Sequence, residues 1–292
     1  MNTLLKNVHV INLERSVDRL AQIDSNLRGF GIKYELFNAI DGKKLTNEQI
    51  SDITTPACRY LLCSKAMIGC SLSHINLWHL ISQSQDKWHL VLEDDARFTA
   101  KTMDFFDKLA KSSVVEEDDI FINLWCNTFD CKGPPAYEYK KDSVTNVFMT
   151  PKYSRSMGGY LITRNTAKKL YDGFMKYKID VAVDDKVEMI YRELGIKYIT
   201  VRDNMLELDG NNNISTISPS SLYLLSNLLN KMGLHIVTRG LSLQLLVLNT
   251  TYVINGFVLI YIALLIFNYL FLHSPILYLY LLLELVISLI MV

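Results

Sequence analysis

Residues 88–98 read WHLVLEDDARF: an apolar run, Leu90-Val91-Leu92, delivers three consecutive acids, Glu93, Asp94 and Asp95, and apolar character returns at Phe98. Three adjacent carboxylates repel one another and are costly to hold at the end of a buried strand, so the pattern asks for a positive charge among them. A divalent metal is the simplest candidate. Mg²⁺ and Mn²⁺ take carboxylate oxygens and water, and complete their shell with phosphate oxygens of a bound nucleotide. An acid run after a strand also occurs as a solvated loop that caps the next helix, and at this point both readings stand.

Outward from this stretch the chain alternates strand and helix. Residues 8–13 (VHVINL) have the β-branched content of a buried strand. Ser16 is placed to cap a helix whose apolar positions Val17, Leu20, Ile23 and Leu27 recur at helical spacing, with Gly29 or Gly31 ending it. A second strand is predicted over 32–37, which completes a βαβ unit and favours a parallel sheet. Helices are expected over 64–85, 103–111, 165–174 and 183–194, and strands over 119–125, 159–163 and 196–201. Residues 127–156, with Gly133-Pro134-Pro135 and Pro151, read as long loops. In such α/β sheets ligands bind at the carboxyl ends of the strands, which is where the acids stand.

The turn-rich stretch DGNNNISTISPS at 209–220 marks the end of the globular part. The expected organisation is an α/β domain over 1–215, a linker over 216–240 and a hydrophobic segment over 241–292. Thirty basic residues balance thirty acidic ones, so there is no global pull toward nucleic acid and an anionic substrate must be held locally. From 240 to 292 the only charged residue is Glu284. Residues 253–272 are long enough to cross a bilayer as one helix, and 276–292 form a second, shorter apolar run. Lys231 and Arg239 precede the first run, which predicts membrane association with the catalytic domain on the cytoplasmic side.

The five cysteines, Cys58, Cys63, Cys70, Cys126 and Cys131, lack the density of a disulfide scaffold and read as reduced, mostly buried thiols. The C-x4-C pairs lie at the edge of zinc-ligand spacing, without a His partner. Asn213 and Asn249 begin glycosylation sequons.

Several separated segments together resemble the family 25 glycosyltransferases, the group that includes bacterial lipooligosaccharide galactosyltransferases. They are Val10-Ile11-Asn12-Leu13 with Arg15 and Arg19; Asn38-Ala39-Ile40-Asp41-Gly42; Gly69-Cys70-Ser71-Leu72-Ser73-His74; Val91-Leu92-Glu93-Asp94-Asp95-Ala96; and Gly159-Tyr160-Leu161-Ile162-Thr163-Arg164 with Ala167-Lys168-Lys169-Leu170. The resemblance spans roughly residues 7–215, and the hydrophobic tail has no counterpart in it. It implies a GT-A-like, Rossmann-type nucleotide-sugar fold, a UDP-linked donor, often UDP-galactose, and inversion at the anomeric carbon. It also places the acid cluster where such folds keep a metal-binding motif, with Glu93 and Asp95 as ligands of Mn²⁺ or Mg²⁺ and Asp94 beside the donor.

Other positions carry two readings each. Asn12, Arg15 and Arg19 follow the first strand, where guanidiniums suit phosphate or a base face, yet Arg15 and Arg19 at i and i+4 also make one solvated helix face. Asp41 reaches ribose or base, or makes an Asx-turn with Gly42. Ser73 and His74 belong to the helix before the acid-bearing strand, where the His bonds donor phosphate or holds an acid in place, or is a satisfied structural residue. Gly158 and Gly159 admit a close backbone approach beside substrate, or merely a turn. An inverting displacement needs a base that is not bound to the metal, for which Asp184 and Asp185 are the candidates; the rival is a capping box of Asp185 with Glu188. The function expected is hexose transfer from a nucleotide sugar to a glycan or lipid-linked saccharide. The alternatives are a metal-dependent nucleotidyl- or phosphotransferase, and an inactive membrane-tethered glycan-binding relative.

Overall fold

A computed structural model of the chain describes residues 2–56, 58–59, 63–125, 149–150, 156–201, 204–208, 242–247 and 250–291. Most of the loops expected over 127–156, the boundary at 209–220, the linker, Cys126, Cys131, Asn213 and Asn249 lie outside the described residues. The strands are β1 (Val8–Asn12), β2 (Glu35–Asn38), β3 (Trp88–Glu93), β4 (Ala96–Arg97), β5 (Ile120–Asn123), β6 (Met149–Thr150), β7 (Gly159–Thr163), β8 (Lys197–Val201), β9 (Glu207–Leu208), β10 (Ser242–Val247) and β11 (Thr250–Asn255). The helices are α1 (Val17–Gly29), α2 (Asn47–Ile53), α3 (Lys65–Ser82), α4 (Ala100–Leu109), α5 (Arg164–Tyr177), α6 (Val183–Ile190), α7 (Gly256–Phe267) and α8 (Pro275–Met291).

Seven strands form one sheet in the order β2-β1-β3-β7-β5-β8-β6. β1 pairs in parallel with β2 and β3, and β5 with β8, whereas β7 runs antiparallel to both β3 and β5. β6 runs antiparallel to β8 at the edge, so five of the seven strands point one way and two, β7 at the centre and β6 at the edge, are reversed. A period of two cannot reveal direction, which is why β7 reads like any other buried strand in sequence.

The central strands feed two apolar layers. Val10, Leu90, Leu92, Ile122 and Leu161 pack with residues of α1 and α4, while Ile11, Val91, Phe121, Tyr160 and Ile162 pack with residues of α3, α5 and α6. Ser16 precedes α1 without a side-chain cap bond, whereas Ser64 and Thr163 accept from Met67 N and Thr166 N to cap α3 and α5. α2, which apolar periodicity alone does not mark, starts on a capping box of Thr46 with Gln49.

One backbone approach shapes the site. A Cβ on Gly69, in α3, would lie 2.5 Å from Gly42 N and 2.6 Å from Ile40 O, and a Cβ on Gly42 would lie 1.6 Å from Lys65 O. Only hydrogens at both positions let the loop after β2 lie against α3. Gly158 and Gly159 face Leu208 and Leu206 instead of a substrate, since the nearest atoms to an added Cβ are those leucines' methyls.

Two expectations are corrected. Cys58 and Cys63 form a disulfide, with 4.8 Å between their Cα atoms, in place of reduced thiols. Five residues of separation let one turn bring the two sulfurs together, a pairing that spacing without coordinates does not reveal. The 253–272 run is not one spanning helix: β11 takes its start, α7 covers twelve residues, and a π-helical turn over Asn268–Leu272 follows. The β-branched Thr250, Thr251, Val253 and Ile254 favour strand. At the other end Asn268 accepts from Ser274 N at 3.0 Å and donates to Ser274 O at 3.1 Å, closing the chain into a turn before α8. Among the described residues no helix is long and apolar enough to cross a membrane.

Candidate active site

The carboxyl ends of β1 and β3, the loop after β2 and the N-terminal half of α3 enclose an open cleft of about 630 Å³. Its wall contains Arg15, Arg19, Asp41, Ser73, His74, Glu93 and Asp94, together with Lys43 and Cys70. The switch from helix and strand to exposed backbone at these ends leaves room for a ligand, as expected for an α/β sheet.

The three acids part company within one turn. Glu93 closes β3 on the same face as Val91, which directs it toward α3: its Oε1 lies 3.1 Å from His74 Nε2 and 4.0 Å from Cys70 Sγ. Asp94 and Asp95 turn toward α1, where Arg19 Nη2 lies 2.5 Å from Asp94 Oδ1 and 3.1 Å from Asp95 Oδ2. Arg19 therefore bridges two carboxylates and does not lie on a solvated face. Arg97 holds the turn from behind by donating to Asp94 O at 2.9 Å, and β4 pairs antiparallel with β9.

Burial dominates the electrostatics of the pair. It pushes Asp94 up to about 7 and Asp95 up to about 6 from the usual 3.8; Arg19 pulls both down, and the neighbouring acids push both up again. The short contacts to Arg19 alone suggest the opposite direction, but one guanidinium shared by two acids cannot offset their loss of water. The Cys70 thiol is held well above its ordinary range by burial, then by Glu93, Asp184 and Asp95. Asp95 Oδ1 is buried with no hydrogen-bond partner among the described residues.

An excess of carboxylate charge, an orphaned acid oxygen and a cleft beside them fit a hard dication, which is the group the fold family implies. Glu93 and Asp95 are two residues apart, and after burial Glu93 is the strongest influence on Asp95; Oε1 of Glu93 is engaged by His74.

Of the other expected site residues, Asp41 makes the turn foreseen for it and, in addition, an ion pair that was not foreseen. Its Oδ1 accepts from Lys43 N at 3.1 Å in an Asx-turn, and its Oδ2 pairs with Arg15 Nη1 at the mouth of the cleft. Ser73 is a support: its hydroxyl donates to Gly69 O at 2.7 Å and accepts from Ile40 N at 2.8 Å, which ties the loop to α3. Asn12 is buried at the end of β1 with Nδ2 donating to Leu13 O at 2.8 Å, and its side chain is not part of the cleft wall.

Asp184 and Asp185 lie in the first turn of α6, whose N-cap is Ala182, so the capping box with Glu188 does not form. Asp184 Oδ1 accepts from Asp185 N at 3.0 Å and Asp184 acts electrostatically on Cys70, while neither acid is part of the cleft wall. Sequence reasoning passed over Cys70, Lys43 and Tyr160; for Tyr160 the signal is a phenol at an inward position of a core strand, which needs a polar partner.

The raised acids make a testable stability statement. Between pH ~4 and ~7 the unfolded chain has released protons that folded Asp94 and Asp95 keep, so their contribution falls as pH rises through that window and levels off above it. Burial lowers buried His9 and His89 to about 4, so they lean the other way between 6.5 and 4, which makes a difference measurement necessary. In chelating buffer Asp94→Asn is expected to melt with wild type near pH 4.5 and above it at pH 7.5. Wild type melting above the variant at pH 7.5 rejects this account.

The family model described as Glycosyltransferase family 25 (LPS biosynthesis protein) matches residues 5–187. The chain belongs to this family. A glycosyltransferase 25 family member of Anopheles gambiae is 30% identical over 177 residues, 57% of this chain and 28% of that protein. The putative glycosyltransferase R655 of Acanthamoeba polyphaga mimivirus is 28% identical over 166 residues, covering 56% of this chain and 51% of that one. Human procollagen galactosyltransferase 2 is 27% identical over 197 residues, 64% of this chain and 30% of that one. The chain thus spans about a third or less of the length of the insect and human family members. A solved glycosyltransferase involved in glycosylation of the major capsid of PBCV-1 superposes with 10% identity and a TM-score of 0.36, covering 71% of this chain and 93% of that one. The family's match covers β1 through the first turns of α6, which is every element that lines the cleft.

Proposed function

We propose that the chain transfers a hexose, galactose first among candidates, from a UDP-sugar to a hydroxyl of a glycan or lipid-linked saccharide, with inversion. The observation that carries this reading is the convergence of Arg15, Arg19, Glu93 and Asp94 on one cleft at the carboxyl ends of β1 and β3, with Asp95 tied to it through Arg19. The family supports glycosyl transfer, and the procollagen galactosyltransferases among its relatives support galactose.

In this reading Arg15 and Lys43 at the cleft mouth take phosphate oxygens, and Arg19 keeps Asp94 and Asp95 apart from the donor's own negative charge until it is neutralised. Glu93 and Asp95 would hold Mn²⁺ or Mg²⁺, which when bound would offset the charge that builds on the departing diphosphate. Asp41 closes the donor side by accepting from ribose. Asp184, in the first turn of α6 and outside the cleft wall itself, is the candidate to take the proton of the acceptor hydroxyl as the new bond forms.

The test is a panel of nucleotide sugars given to the full chain with and without Mn²⁺, scored for nucleoside diphosphate and free sugar. Mn²⁺-dependent release of UDP from UDP-galactose is expected. Release of phosphate or pyrophosphate instead points to phosphoryl or nucleotidyl transfer, and tight UDP binding without turnover on any acceptor points to a binding protein.

The lipid part of the reading rests on α7 and α8. They are joined by a bond from Tyr261 OH to Leu281 O, and they expose Leu265, Phe267, Leu270, Phe271, Ile276 and Leu279 among others. A helix pair apolar on several sides suits an acyl-chain environment better than a single protein groove. The reading commits to a bilayer surface and not to a side of it: Lys231 and Arg239 favour the cytoplasmic side, and the Cys58–Cys63 disulfide favours an oxidising compartment. Flotation with phospholipid vesicles is expected for the full chain, and loss of flotation when Phe267, Phe271 and Leu279 become Ser ties it to this hairpin.

A further inference from the structure

A hydrogen-bond chain runs from the core of the sheet into the cleft. The hydroxyl of Tyr160, on β7, is wholly buried and lies 2.9 Å from Trp78 Nε1 and 2.9 Å from His74 Nδ1. An indole N–H only donates, so the Tyr160 oxygen must accept from Trp78. The hydroxyl has one proton of its own, and among the described residues the acceptor in reach is His74 Nδ1. That places the imidazole proton on Nε2, which faces Glu93 Oε1 at 3.1 Å. A carboxylate only accepts, so it is a proper end for the chain. Every donor from Trp78 to Glu93 is then used once, in one direction.

We propose that Tyr160, braced by Trp78 and acting through His74, is a positioning residue that aims and holds the Glu93 carboxylate at the cleft. Its bearing on turnover rests on the function proposed above; the proton arrangement itself does not.

The same count decides against a soft-metal site. Cys70, His74 and Glu93 offer ligand atoms within 4.8 Å of one another, which by composition suits zinc. A metal on His74 Nε2 needs that nitrogen's lone pair, which moves the proton to Nδ1 and aims it at a hydroxyl already receiving the indole N–H. The Tyr160 proton is then left without an acceptor in a dry interior, which is costly. His74 is also fixed sideways, its ring lying among Trp78 and Tyr160 with centroids 6.1 and 5.8 Å away. Glu93 is held from the backbone as well, its N–H donating to Gly158 O at 2.9 Å.

Two measurements test this. Long-range proton–nitrogen correlation spectra of the imidazoles in the full chain are expected to show His74 as the Nε2–H tautomer at neutral pH, before and after addition of Zn²⁺. The Nδ1–H tautomer, or zinc bound at Nε2, overturns the proposal whatever the protein's reaction is. In kinetics, Tyr160→Phe keeps the ring on Phe121 and is expected to lower kcat about 10–100-fold with a smaller change in donor KM, the range for residues that orient a site from behind. His74→Gln, which retains a donor toward Glu93, is expected to keep more activity than His74→Leu. Tyr160→Phe added to His74→Leu is expected to cost nothing further, because both act through one hydrogen bond. Multiplying losses would mean that Tyr160 merely supports the core, and would overturn the proposal. If no donor is turned over by wild type, the proposed function fails and the tautomer still decides this inference; it also decides should Tyr160→Phe not fold.

Discussion

Asp95→Asn is expected to reduce metal-dependent donor turnover by about 10²–10³-fold, since a dication's charge stabilisation is worth several kcal/mol and about 1.4 kcal/mol is tenfold in rate. The same change is expected to leave the metal-free melting temperature at pH 7.5 unchanged or raised. Asp95 has been pushed up to about 6 by burial and by Glu93, so its charge at pH 7.5 opposes folding, and an amide of the same shape removes that opposition. Arg19 keeps its partner Asp94 at 2.5 Å. Activity and stability should therefore move in different directions, which separates a functional acid from a structural one. Turnover within a few-fold of wild type, or a large drop in melting temperature at normal metal dependence, would place the metal elsewhere. Titration of Mn²⁺ by calorimetry or paramagnetic relaxation gives the companion measurement, with weaker binding expected in the variant.

Gly69→Ala is expected to destabilise the domain by about 3 kcal/mol or more, at the upper end of what overpacking costs, and to weaken binding of UDP or UDP-sugar with it. The added methyl would meet Gly42 N and Ile40 O at about 2.5 Å, and both are backbone atoms that no rotamer change can move aside. Either α3 backs away from the loop or the loop backs away from α3. The bond from Ile40 N to Ser73 Oγ is lost in both cases, and the loop carrying Asp41 and Lys43 leaves the cleft wall. Chemical denaturation together with UDP binding checks this. A variant with wild-type stability and binding would show that the close approach is not needed.

The βαβ start, the helix now seen as α3 and the strand that ends in Glu93 were all legible in sequence, because apolar residues recur there at periods of 3.6 and 2 over long enough runs. α2 was not, since its seven residues bury little and its start is marked by the Thr46–Gln49 box instead of by an apolar face. β9 is two residues long and owes its existence to β4, a partner over a hundred positions away. Gly42 and Gly69 stood out in sequence as parts of separate motifs, but their contact with each other exists only once α3 lies on the loop.

The site divides in the same way. That a cluster of carboxylates sits at a strand end and requires positive charge follows from adjacent residues alone, as does the placing of Arg15 and Arg19 just past the first strand. Which charge meets which acid does not. The pleat of β3 turns Glu93 to α3 and the following turn sends Asp94 and Asp95 to α1, so His74 and Arg19, 19 and 75 residues from their partners, become neighbours. Local periodicity is written by residues a few positions apart and survives in any context. The partner of a buried charge is chosen by packing between distant segments, under the demand that no polar group be left alone in the interior, and that choice exists only in the folded chain.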